Sequence, residues 1–552
     1  MKNWDGIILI CILLFTFQTT SRLAAQDAVV SPSDSAAQQK PEPAEPLLEL
    51  PEVLIIGQDA YHRLTKEKKS LTPETPQAIA LPDRYEAAAV APQKRLAAVE
   101  TSFPRVYALL QGGSSYYFYG LAGYHHLFER GEVIGNAAFQ RGNGHYRNSR
   151  TGEGGVRIQG NYQLTEKTHL VSAADYERWG YGLQSTGYYR TDAERNGGHG
   201  GFRASLDYQH TQTLTGRVNV EFGGMALQSD TANIRVERSS DFFSRLGAGA
   251  KFRRGRLILE AHAAYMHESY DHENRTQLLD LGDLMFCAAS SFGKAATATL
   301  GVKLTSFSAD SASGSRIAPV ASIVIVPNER FAASLKIDGG LTPVTMTDYR
   351  RENPFIAHSA TIRPQEDKLR LQGDWQLAVS GALMIQGGFE RRLAAALPAF
   401  EADSANGLLN LSWLDNVEMT STRVGLRAKF GRTGEASVLF IDYSDDLDHT
   451  SAVGSNIPYL PDYSLPFEVT VGLPAGVRLN ASAELIGRRR VTMQSRETLA
   501  PRFRMNVRLS KPIAGVAEAF VDCRNLFDDR SQQWQGYREP GLIASIGLIY
   551  RR

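Results

Sequence analysis

The chain has 552 residues, 43% of them hydrophobic, and its 60 basic and 59 acidic side chains leave a net charge of +1. A balance this close to neutral gives no case for nucleic acid, whose binders carry a basic face or stripe. No stretch reaches the roughly 20 consecutive apolar residues that a membrane-crossing helix needs.

The chain begins with Lys2, a short apolar run from Ile7 to Phe17, and Leu23-Ala24-Ala25. That order is the pattern of a secretory signal peptide over residues 1–25. Cys11 lies inside the apolar run, so no lipoprotein Cys stands at the cleavage point. From Gln26 to Leu50 the composition turns to Pro, Ala, Ser, Gln and Glu. Such a segment buries too little apolar surface to offset its ordering entropy, which predicts a disordered or extended stretch. Glu52-Val53-Leu54-Ile55-Ile56 then follows in Leu50–Gly57. Two readings fit it: a docking strand that adds to a partner's sheet edge, and a strand packed on this chain's own fold. Gln58 to Thr101 is rich in Lys, Ala and Pro, with room for one short helix over Arg84–Val99.

From Phe103 the pattern changes to segments of about ten residues that alternate apolar and polar, separated by turn chemistry. Phe202, Ala204, Leu206 and Tyr208 alternate with Arg203, Ser205, Asp207 and Gln209; Phe503, Met505, Val507 and Leu509 alternate with Arg502, Arg504, Asn506 and Arg508. A soluble sheet with one wet face alternates in the same way. Two features favour a membrane barrel. Long charged side chains recur on the polar face of strand after strand, as a watery lumen allows. Short turns such as Arg253–Arg256 and Lys511–Gly515 also alternate with longer polar loops: Arg141–Glu153, Trp179–His199, Gly339–Gln365, Leu393–Asn416 and Asp445–Asp462. The expectation is an all-β fold, a transmembrane antiparallel β-barrel of about 22 strands over residues 103–552. The even count returns the C-terminus beside the first strand.

The chain ends on Asn525-Leu526-Phe527-Asp528, then Gly536-Tyr537, Pro540-Gly541 and an alternating strand to Tyr550. This ending resembles that of TonB-dependent outer-membrane receptors, and the opening strands, FPRVYALLQGGSSYYFYGLAGYHH, look like receptor-type barrels too. Leu542 stands where that family usually carries Arg, and Arg551-Arg552 follow the aromatic that is normally last. The resemblance implies a cell outer-membrane location, with the N-terminal segment and the C-terminus in the periplasm. Its implied partners are outer-membrane lipid, the barrel-assembly machinery, and TonB or a plug-bearing protein. It also makes Glu52–Ile56 look like a coupling box or a first plug strand. A receptor plug takes over a hundred residues of mixed structure in that family; residues 26–102 hold no such domain, so the plug is expected to be missing.

No catalytic set emerges: there is no Ser elbow, no Gly-rich phosphate loop and no His-Glu-x-x-His. The expectation is a non-enzyme without cofactor or metal. His267, Glu268, Asp271, His272 and Glu273 fall in an expected outer loop, where a solvated polar surface explains them better than a metal. His125-His126 reads as part of a rim girdle. Cys287 and Cys523 lie far apart, without metal or redox spacing. On the lumen face Arg423, Arg427 and Lys429 share one strand and Arg502, Arg504 and Arg508 another. They read either as a basic stave that concentrates anions or as braces paired with Asp374, Glu221, Glu260 and Glu484. Tyr181, Tyr188, Tyr189, Trp534 and Tyr537 mark loops able to grip a ligand or to serve as girdle. The reading is passage of a solute across the outer membrane; the alternative is an anchor barrel whose outer loops bind a partner.

Overall fold

A computed structural model describes residues 105–552, apart from 144–150, 184–193, 232–233, 274, 294, 311, 403–407, 432, 448–455, 494–496 and 539. The leader, the linker, the Glu52–Ile56 strand and the question of a plug all lie outside the described residues.

Among the described residues one 23-stranded antiparallel sheet dominates. Leu409–Leu414 pairs only with the far end of Leu383–Ala402, and the other 22 strands follow one another around a closed wall. The first strand, Val106–Gly113, pairs antiparallel with the last, Ile543–Arg551, from Tyr107 opposite Arg551 to Gly113 opposite Ser545. The Gln111 amide crosses this seam, donating to Ser545 Oγ at 2.6 Å and to Asp522 Oδ2 at 3.1 Å. Closure removes the open edge that a strand-ended chain would otherwise present.

The alternation read from the sequence sets the two faces. Leu110, Phe139, Val156, Ile158, Tyr176, Phe242, Leu246, Leu300, Ile317, Val424 and Ile546 are exposed on the outside. Their neighbours in sequence turn inward and carry the charge. Inward charges pair across adjacent staves: Arg245 with Glu221 at 3.1 Å, Lys251 with Glu260 at 2.7 Å, Arg508 with Asp522 at 3.1 Å. Cys287 is buried, in contact with Met285 and Val320. Tight turns lie at the end where the chain's last residue sits, and the longer connections lie at the other, which we call the loop end.

Four expected loops take a different form. The strands around Arg141–Glu153 and Trp179–His199 run further than expected, to Gly142 and Gly182, and resume at Thr151 and Glu194. Leu393–Asn416 is not a polar loop: Leu383–Ala402 continues past the wall and returns as Leu409–Leu414. Its Leu397, Phe400, Leu409, Leu411 and Leu414 are buried, and local alternation could not separate this projecting hairpin from loop. Gly339–Gln365, the fourth, folds inward and is described below.

The C-terminal motif locks the last loop-end connection. Asn525 and Asp528 adopt φ of 49° and 52°, the left-handed region that short polar side chains tolerate best after glycine. Asn525 Nδ2 donates to the carbonyls of Asp529 and Pro540, and its Oδ1 accepts from Asp529 N. Asp528 Oδ1 accepts from Leu542 N at 2.9 Å, and Phe527 packs on Phe503 with ring centroids 5.4 Å apart. A Cβ on Gly541 would fall 2.2 Å from Asp528 Oδ1. Gly541→Ala is therefore expected to cost about 1–3 kcal/mol, typical of overpacking. The check is a drop in the urea concentration at which the compact gel band of the folded barrel disappears; an unchanged midpoint refutes it.

Candidate functional site

Residues 343–364 form a strap across the loop-end mouth. Pro343 ends the strand Phe331–Thr342, since proline cannot donate to the ladder, and Pro364 precedes the next strand, Gln365–Ala378. Between them Thr345-Met346-Thr347-Asp348 starts a helix over Met346–Glu352 with a reciprocal capping box. Thr345 Oγ1 accepts from Asp348 N, and Asp348 Oδ2 accepts from Thr345 N at 2.9 Å. The helix stops at Asn353, before Pro354.

The strap is held by inward-facing side chains of successive staves. Arg195, fully buried, donates to the carbonyls of Pro354 at 2.6 Å and Ile356 at 2.7 Å, and to Ser229 Oγ at 3.0 Å. Asp241 accepts from Thr347 N and from the Thr347 hydroxyl, and also from Met225 N. Glu268 Oε1 accepts from Met346 N at 2.6 Å. Arg245 Nη2 donates to Pro343 O and Asp348 Oδ2, both at 3.1 Å. Gln277 donates to Ala360 O and accepts from Ile362 N, and Lys303 Nζ reaches Leu341 O.

On its far side the strap meets other loop-end elements. Ala357 N donates to Leu409 O at 2.8 Å and Leu409 N to Phe355 O at 3.0 Å, a short parallel bridge to the projecting hairpin. The Phe355 ring lies 3.7 Å from Tyr537 and 6.1 Å from Tyr181, centroid to centroid. Arg489 donates to the carbonyls of Gln532 and Gln533 and so fixes the turn that presents Tyr537. Met346, Phe355 and Ile356 have no exposed surface, and each such burial contributes about 1.5–3 kcal/mol. The strap thus crosses from one side of the mouth to the loop before the last strand.

At its centre sits His358, held between two serines, with Ser229 Oγ 2.8 Å from Nε2 and Ser239 Oγ 2.7 Å from Nδ1. A neutral imidazole needs one donor and one acceptor, and two hydroxyls supply both. Arg195 bonds one serine and Arg350 Nη2 the other, at 2.9 Å. The His272 ring stacks 5.9 Å away. Burial, the two guanidiniums and His272 push the His358 pKa down to about 2, so the ring is neutral.

The residues singled out in the sequence fall as follows. Arg423 is ion-paired with Asp374, Arg427 with Glu435, Arg502 with Glu484 at 3.5 Å, and Arg508 with Asp522. Lys429 stands opposite Glu435 and Arg504 opposite Glu484 in register. His267, Glu268, Asp271 and His272 lie on the strand Leu257–His272, not in a loop, and alternate between its faces. Glu268 caps the strap and His267 bonds Asp280 at 2.9 Å, so the set does not converge. His125 pairs with Glu132 at 3.0 Å, while His126 stacks on Tyr124 and meets Phe128 edge-on, on the outside. Tyr181, Trp534 and Tyr537 are buried rather than displayed; Tyr188 and Tyr189 lie outside the described residues. The strap itself escaped the sequence reading. Its signals were the capping box, the three prolines and the apolar Val344, Met346, Phe355, Ile356 and Ile362 in a supposedly polar loop.

No protein-family model and no curated protein sequence matches the chain. Solved structures do. The siderophore receptor PiuA from Acinetobacter baumannii superposes with a TM-score of 0.63 at 11% identity, covering 81% of both chains. The FrpB iron transporter from Neisseria meningitidis gives 0.66 at 9%, covering 84% of this chain and 83% of its own. The ferric-catecholate import receptor Fiu from E. coli K12 gives 0.64 at 9%, covering 81% and 82%. At such identities the likeness speaks for the fold, which is a TonB-dependent-receptor-like barrel of 22 strands.

Proposed function

We propose that this chain is a non-enzymatic outer-membrane barrel through which a solute passes, its outer mouth held shut by the strap 343–364. The outward apolar face meets lipid, the loop end faces the exterior, and the C-terminus and the N-terminal segment lie in the periplasm. The barrel fold and its likeness to import receptors support this reading. The observation that carries it is the strap's attachment. It crosses the mouth on side-chain hydrogen bonds from the wall and, among the described residues, touches the sheet's backbone ladder only at the two-bond bridge to Leu409 on the projecting hairpin, so it can leave without unfolding the barrel. Glu52–Ile56 would serve as a docking strand for TonB or for a plug-bearing chain.

A second reading, an anchor barrel whose loop end binds a partner, draws on the strap's dense bonding. Single-channel conductance in planar bilayers separates the two. Three proteins are compared: the mature chain, a variant with Val344–Arg363 replaced by a short Gly-Ser linker, and that variant also lacking Gln26–Thr101. The proposal expects a silent mature chain and a large steady pore in at least one variant. If both variants fold and neither conducts, the anchor reading replaces it.

A further inference from the structure

Away from the strap's helix, the inward face near the loop end carries a group of oxygen atoms with no assigned role. Tyr119, Gln140 and Glu153 face one another across three neighbouring strands: Tyr119 is opposite Gln140, and Gln140 is opposite Glu153. Glu153 in turn stands opposite Trp179, and Glu177 lies one diagonal step away, opposite Gly155. At that spacing long side chains on one face reach each other. The carboxyls of Glu153 and Glu177 lie within hydrogen-bonding reach of each other, and burial together with this neighbour pushes the Glu153 carboxyl well above the usual carboxylate range.

Two ionised carboxylates do not share a hydrogen bond; either a proton or a cation must sit between them. Among the described residues, no guanidinium or ammonium is among the groups that act on Glu153. The independent sign is Gln140. Its side chain is buried, with 6% of its surface exposed, and its Oε1 is a buried acceptor with no donor. A buried carbonyl oxygen left without a partner is costly, and one facing a carboxyl pair has an obvious use.

We propose that Gln140 Oε1, Glu153 and Glu177 bind a divalent cation on the inner wall of the mouth. The donors are all oxygen, two of them anionic, which suits a hard ion, and a calcium ion accepts a loose set completed by water better than magnesium does. Glu153 and Glu177 are only half-buried, so the ion reaches them from the lumen. The ion would neutralise the carboxyl pair and join three staves beside the place where the strap's Arg351 bonds His199 and approaches Asp175. The inference does not depend on solute passage.

The test uses the folded full chain in detergent and terbium(III) as a luminescent calcium substitute, excited through the indole of Trp179 opposite Glu153. Saturable luminescence at one ion per chain, displaced by calcium, is expected. Glu153→Gln and Glu177→Gln should each weaken binding by about tenfold or more, and Gln140→Leu by a smaller factor. Trp179→Phe should dim the luminescence while calorimetric calcium binding persists. A folded gel band is required of every variant; Gln140→Leu, which changes no charge, is the fallback if a glutamate variant fails to fold. The proposal is overturned if the wild type shows no saturable binding, or if binding survives both glutamate changes. Either result means that the carboxyls share a proton and that the Gln140 amide is turned to donate to Glu153.

Discussion

Arg195→Met is expected to free the strap while leaving the barrel folded. The guanidinium is fully buried and answers two strap carbonyls, at Pro354 and Ile356. Methionine fills much of the same volume and answers neither. A buried acceptor without a donor costs about 1–3 kcal/mol, so the two together shift the docked state by about 3 kcal/mol, on the order of a hundredfold. The readout is trypsin. Arg350 and Arg351 lie on the strap ahead of bonds that trypsin can cut, whereas Arg363 precedes Pro364 and is not cut; Arg350 is only 2% exposed while the strap is docked. Vesicles carrying the variant should yield new fragments cut at Arg350 and Arg351, and the wild type should resist. Arg217→Met is the control, because Arg217 is paired with Asp207 and does not touch the strap. If the variant keeps its folded band and its resistance to trypsin, Arg195 does not hold the strap.

Protonation of His358 is expected to loosen the same strap. His358 is held neutral when the strap is docked, its pKa pushed down to about 2, whereas a released imidazole in water titrates near its ordinary value of about 6.5. A depressed folded-state pKa means that the released form binds the extra proton. The docked state is therefore fully favoured above about pH 6.5 and loses stability as pH falls toward about 2. At pH 5 the loss is about 2 kcal/mol, roughly a thirtyfold rise in the released population. Glu268, Asp241 and Glu352, whose carboxyls burial pushes up, contribute with the opposite sign, so the His358 share is the difference between the wild type and a variant that cannot titrate there. His358→Gln isolates the effect, because an amide keeps a donor and an acceptor for Ser229 and Ser239 and cannot titrate. Between pH 7.5 and pH 5, channel-opening frequency in planar bilayers should rise in the wild type relative to His358→Gln by up to about thirtyfold. Equal pH dependence in both would remove His358 from the mechanism.

The barrel was legible in the sequence because its signal is local and repeated. Each strand needs only the two-residue alternation that puts Leu206 or Val424 outside and Arg203 or Arg423 inside, and many strands say the same thing. The even strand number came from counting the same alternation, whereas the Asn525–Asp528 ending was read from its resemblance to TonB-dependent receptors; the structure adds the left-handed backbone at Asn525 and Asp528. Where chemistry concentrates was not readable, for a physical reason. Arg195, Asp241, Glu268 and His358 are spread over 164 positions of the chain and meet only because closure brings their staves around one mouth. Nothing within a strand tells whether an inward arginine will find a carboxylate on the next stave, as Arg508 does, or a backbone carbonyl on a strap crossing the lumen, as Arg195 does. Sequence alone thus determined the wall, because alternation decides which face turns outward and which turns into the barrel. Tertiary structure decided what fills the mouth, because only the closed barrel sets which buried polar groups must answer one another.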